Sequence, residues 1–75
     1  MEEESKFVIR SYYKTDLAQM YHPNVKVASA MRKMRRWINR NAELKRRLQE
    51  VQINALNHSY TSKQVAILIE FLGEP

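Results

Sequence analysis

The sequence contains no cysteine. That excludes a disulfide framework and any thiolate metal site, and nothing in the chain demands an oxidising compartment. Glycine occurs once, at Gly73, so no glycine-rich phosphate loop can form. No window approaches the roughly 18 uninterrupted apolar residues of a membrane span. The opening MEEESK is acidic and has no apolar run, so it does not read as a secretory signal peptide. A cytoplasmic location and no membrane contact are the expectations. Acids are scarce in the middle of the chain: between Lys26 and Arg47, nine Lys or Arg residues meet one acid, Glu43.

Seventy-five residues make a single domain whose core must be compact. Residues 1–6 read as a flexible acidic tail and residues 7–75 as one helical domain. The net charge of +5 is distributed unevenly, with Glu2, Glu3 and Glu4 at one end and Glu70 and Glu74 at the other. A basic middle of this density points to a polyanionic partner such as nucleic acid. A solvated helical surface is the competing explanation, and composition leaves both open.

The stretch Val27 to Arg40, VASAMRKMRRWINR, organises the rest. At 100° per residue, Val27, Ala30, Met31, Met34, Trp37 and Ile38 share one side, and Arg32, Lys33, Arg35, Arg36 and Arg40 occupy the remainder. Trp37 therefore reads as core rather than as a base-stacking platform. Ahead of it, Phe7, Ile9 and Tyr12 alternate with Val8, Arg10 and Ser11, which fits a short extended arm packing Phe7 or Ile9 onto the helices. Thr15 is expected to cap a first helix carrying Leu17, Ala18, Met20 and Tyr21. Pro23 ends that helix near His22. His22 itself reads as a surface residue.

Either Asn39 or Asn41 can start the next helix, Ala42 to about Val51, with Leu44, Leu48 and Val51 on one stripe. Gln52 to Ser59 shows no clear period. Thr61-Ser62-Lys63-Gln64 has the form of a capping box. The nearly continuous apolar run from Val65 to Leu72 then predicts a helix that is either central to the core or half of a dimer interface. Gly73 sits where a left-handed C-terminal residue belongs.

Nothing assembles a catalytic site. The histidines, His22 and His58, lie in turn or loop segments without a carboxylate orienter, and the acids cluster at the termini. No enzyme activity, metal, cofactor or small-molecule substrate is expected. The first two helices carry more information, because a short helix, a tight turn and a basic helix have the layout of a helix-turn-helix. In that layout the second helix enters the major groove. Ser29 and Arg32 are then candidates for base edges, and Lys33, Arg36 and Arg40 for phosphates, with Lys26 beside them. The glycine common in such turns is missing, and Asn24 is the residue there that tolerates left-handed geometry.

Two resemblances follow. The order Lys14-Thr15-Asp16-Leu17-Ala18, Val25, Arg36-Trp37-Ile38 and Tyr60-Thr61-Ser62-Lys63-Gln64-Val65 resembles that of MerR and excisionase-type DNA-binding domains. That likeness implies a wing at Gln52 to Ser59, a segment lacking the basic residues usual in a wing. From about Phe7 onward the chain is also similar to a bacterial family of short proteins known only as a domain of unknown function (4248). This second likeness rests on Leu17-Ala18, Tyr21-x-Pro23, Arg36-Trp37-Ile38-Asn39, Asn41-x-Glu43-Leu44, Tyr60-Thr61 and Phe71-Leu72-Gly73-Glu74-Pro75, and it implies no activity.

The expectation is a mainly all-α domain of four helices, with a helix-turn-helix-like first pair and a short extended arm or wing. Its expected role is a small regulatory or accessory protein that binds double-stranded DNA through residues 26–40, with a homodimer through the last helix. The alternative is a protein–protein interaction module whose basic face is merely solvated.

Overall fold

A computed structural model describes residues 7–51 and 58–75. Among them are four helices and one small ribbon, in the order β1 (Tyr12–Tyr13), α1 (Lys14–Tyr21), α2 (Val27–Arg40), α3 (Ala42–Glu50), β2 (Ser59–Tyr60) and α4 (Ser62–Leu72). The acidic tail, residues 1–6, and most of the segment expected as a wing lie outside the described residues.

The ribbon is antiparallel, with Tyr12 opposite Tyr60 and Tyr13 opposite Ser59. It corrects the expected start of α1. Thr15 is not the cap, because the helix begins at Lys14 after Tyr13 and has no side-chain cap. The reason is long-range: the Lys14 N–H, which would otherwise need a partner in the first turn, donates to the His58 carbonyl at 2.9 Å. Asp16 still lies in the first turn, where the positive helix end favours it. Of the two arm residues, Phe7 packs on the core and stacks on Tyr12 at 5.3 Å, whereas Ile9 stays exposed.

The turn from His22 to Lys26 uses no left-handed residue, since no non-glycine residue described has a positive φ. Asn24 is therefore not needed in that role. Gln19 holds the turn instead, its Nε2 donating to the carbonyls of His22 at 3.1 Å and Val25 at 2.6 Å. A side chain reaching from the end of α1 thus supplies what glycine supplies in other tight turns.

Between α2 and α3, Asn41 is the cap, its side-chain oxygen accepting from the Leu44 N–H at 3.1 Å. The capping box of α4 is complete. Thr61 N–H donates to Gln64 Oε1 at 3.0 Å, and Gln64 N–H donates to Thr61 Oγ1 at 3.2 Å. Thr61→Ala is expected to cost about 1 kcal/mol, read as a lower urea midpoint, while Thr61→Asn retains most of the stability. At the other end Gly73 has φ 82° and ψ 174°. Its φ is positive as anticipated, but the ψ places it outside the left-handed helical region, in territory open mainly to glycine.

The core joins α1, α2, α3 and α4 through Leu17, Met34, Leu44, Val65 and Leu68, all fully buried. Val65, Ile67 and Leu68 of α4 are buried in this core, Ile69, Phe71 and Leu72 are half-buried, and Ser62, Lys63, Ala66 and Glu70 are exposed. Val27, assigned to the apolar stripe of α2, is 44% exposed. It is the first residue of α2, and α1 stops at Tyr21 without covering that turn.

Candidate nucleic-acid interface

Helix α2 has no acid in its first turn and a basic last turn, and five cations lie along it: Arg32, Lys33, Arg35, Arg36 and Arg40. All five side chains are exposed. The structure separates them from the cations of α3. Arg46 is tied to Glu43 and Glu50 on its own helix, and the Arg46 hydrogen bond and charge hold the Glu43 carboxyl below its ordinary range. Arg47 bridges to Glu70 on α4 at 3.2 Å and lies over the Phe71 ring. The positive charge of α3 is thus largely matched at home. The five cations of α2 make no ion pair among the described residues.

Of the residues expected at the interface, the structure gathers Arg32, Arg36 and Arg40 into one shallow depression, together with Arg35 and Asn39. These positions follow an i, i+3, i+4, i+7, i+8 spacing, the signature of one helical face. Arg35 and Asn39 were not among the expected site residues. The signal that finds them is the same helical period, applied to the charges rather than to the apolar stripe.

The other three expected residues lie apart from that depression. Lys26 is the residue before α2, exposed, and its carbonyl accepts from Ala30 N–H. Ser29 is half-buried. Lys33 faces the α1 turn, where its charge acts on His22. The outward face therefore runs from the turn, past Lys33, to Arg35 on the side of Tyr60, where the Arg35 charge is felt by the phenol.

Trp37 buttresses this face from behind. It meets Tyr21 edge-on at 5.9 Å and His22 at 4.5 Å, so it fixes α1 against α2, as its place on the apolar stripe suggests. The Tyr21 hydroxyl donates to the Gly73 carbonyl, and burial, then Glu74, pushes its pKa up to about 12. His22 is more than a surface residue. It is half-buried, and its Nε2 is buried without a hydrogen-bond partner among the described residues.

Burial, then the Lys33 charge, lowers the His22 pKa below its ordinary 6.5. In the unfolded chain the imidazole takes up its proton near that ordinary value. Between the two pKa values the unfolded state binds more protons, so stability falls as pH falls. Above the unfolded pKa the imidazole is neutral in both states and the slope vanishes. Urea midpoints taken from pH 7.5 down to 5.5 are expected to decline, and His22→Gln is expected to flatten that decline.

The family described as domain of unknown function (DUF4248) matches residues 8–75. The chain belongs to this family. Its description assigns no activity, so membership places the chain among relatives without assigning α2 a partner. No curated protein and no solved structure matches the chain. Among the described residues, no helix is long and apolar enough to cross a membrane, and no group of three His, Cys, Asp or Glu could hold a metal ion.

Proposed function

We propose that this protein binds double-stranded DNA through the outward face of α2. The observation that carries the reading is the row of arginines without acidic partners, Arg32, Arg35, Arg36 and Arg40, on one exposed helical face. Like charges held together on one side of a helix repel one another, and that repulsion is relieved when an anion arrives. Arginine suits phosphate in particular, because its planar fork can donate two parallel hydrogen bonds. From Arg32 to Arg40 the helix rises about 12 Å. A DNA strand carries a phosphate every ~3.4 Å along the axis, so the row matches a polymer better than a single phosphate group.

The helix pair favours duplex over other polyanions. A short helix, a turn and a longer helix whose basic side faces solvent have the arrangement in which the second helix enters the major groove. The uncovered first turn of α2 offers Val27 and Ala28 beside Lys26, all exposed. Apolar side chains at that end of a recognition helix suit thymine methyl groups, and the cations that follow suit phosphates. Ser29 and Arg32 are the proposed base-edge contacts, and Lys33, Arg36 and Arg40, with Arg35, the proposed phosphate contacts. A domain presenting one such helix fits a regulatory or accessory role, and two copies would extend the site. The half-buried Ile69, Phe71 and Leu72 of α4 are where a second copy would pack.

An NMR titration with duplex DNA tests this. Shift changes are expected to concentrate along residues 26–40; none along that stretch at low salt would refute the reading. An acidic protein partner would use the same arginines, and poly-L-glutamate would then compete as well as duplex at equal charge.

A further inference from the structure

A second basic site borders the proposed DNA face and shares Arg35 with it. A cavity of about 360 Å³ opens between α2, α3 and the β1–β2 ribbon, within the range of small-ligand sites. Its floor is apolar, formed by Met31, Met34, Ile38 and Leu48. Around it stand Lys14, Arg35 and Lys45, with no acid among the lining residues. None of these three cations has an ion pair among the described residues. Lys14 lies 5.5 Å from the centre of the Tyr60 ring.

Neutral donors complete the lining. The Tyr60 hydroxyl has no hydrogen-bond partner among the described residues. Burial pushes that hydroxyl up in pKa, against the pull of Arg35, so it keeps its proton and can donate. Gln64 is buried and uses its Oε1 in the α4 cap, which leaves its Nε2 as a further donor on the same wall. With the exposed Gln49 amide also on the lining, three cations and three neutral donors over an apolar floor complement a ligand with one anionic end and an apolar body. A bare phosphate would leave the floor unmatched, and a hydrocarbon would leave the cations unmatched.

We infer that this cavity binds a small organic anion with an apolar body, of the fatty or aromatic carboxylate class. Such a ligand goes beyond DNA binding and beyond the expectation of no small-molecule substrate, which concerns turnover. It is a bound ligand rather than a substrate.

The test is an amide-shift titration of the full chain with sodium octanoate. Sodium acetate supplies the charge without the chain, and 1-octanol the chain without the charge. Saturable shifts are expected at Lys14, Arg35, Lys45 and Tyr60 with octanoate, and binding at least about tenfold weaker with either control. Lys45→Glu is expected to weaken octanoate about tenfold or more. Lys45→Gln gives the same direction should the reversal disturb folding. Arg32→Glu lies outside the cavity and is expected to leave octanoate binding unchanged, so loss of DNA binding and loss of this site are separable. The inference is overturned if octanoate shifts do not saturate, if 1-octanol binds as tightly, or if Arg32→Glu weakens octanoate as much as Lys45→Glu does.

Discussion

Reversing Arg32 and Arg36 together (Arg32→Glu, Arg36→Glu) is expected to weaken duplex DNA binding by on the order of 100-fold or more at low salt, from two charge-assisted contacts of about 1.5–3 kcal/mol each. Both side chains are exposed and have no ion pair among the described residues. Their replacement therefore leaves no buried partner unsatisfied, and stability should stay within about 0.5 kcal/mol of the parent. The double variant should keep its helical circular dichroism and urea midpoint while losing the DNA-dependent shift. The matched reversal Arg46→Glu makes the contrast. It breaks the pairs with Glu43 and Glu50 on a helix whose two arginines are both ion-paired, and it should leave DNA binding within a few-fold of the parent. Equal losses from both reversals would mean that net charge, rather than the α2 face, drives binding.

Leu68→Ala is expected to cost about 2–5 kcal/mol, the range for emptying a fully buried leucine site. A domain of this size draws only about 3–5 kcal/mol from its core, so most of the chain should be unfolded at room temperature. Leu68 is fully buried, and α4 packs against α3 and the ribbon. The exposed neighbour gives the control: Ala66→Ser should shift the urea midpoint little, within about 0.5 kcal/mol. If α4 were instead half of a dimer interface, the loss in Leu68→Ala would depend on protein concentration. A concentration-independent loss is the expected result.

What could be read from the sequence was mostly local. The Thr61–Gln64 box is legible because its donors and acceptors lie within one turn, and both of its hydrogen bonds form. The stripe of Met34 and Ala30 is legible because helical period places those residues on one face, and both are buried. Asn41 is legible as one of two asparagines, though only its hydrogen bond to Leu44 N–H separates it from Asn39.

Features set by distant parts of the chain were not legible. Two-residue strands carry no periodicity, so the pairing of Tyr12 with Tyr60 left no trace. That pairing is why Thr15 failed as a cap: the start of α1 is fixed by a carbonyl from the far end of the chain. The turn before α2 lacks the glycine that marks such turns in a sequence, and Gln19 closes it from the preceding helix. At the basic face, Arg32, Arg36 and Arg40 lie farthest from the apolar stripe and are legible for that reason. Arg35 sits nearer the edge of that stripe, yet it borders both the arginine depression and the cavity. The split between the paired arginines of α3 and the unpaired cations of α2 rests in part on the pairing of Arg47 with Glu70, which joins residues far apart in sequence.

The salt dependence of duplex binding tests the role of α2 most directly. Each phosphate neutralised contributes about −0.9 to the slope of log K against log salt concentration. Phosphate contacts from Lys33, Arg35, Arg36 and Arg40 give an expected slope of about −3.6, reduced to about −2.7 in the Arg32→Glu, Arg36→Glu variant, which loses one of the four. A slope near zero for the parent protein, or no duplex binding at low salt, would contradict it.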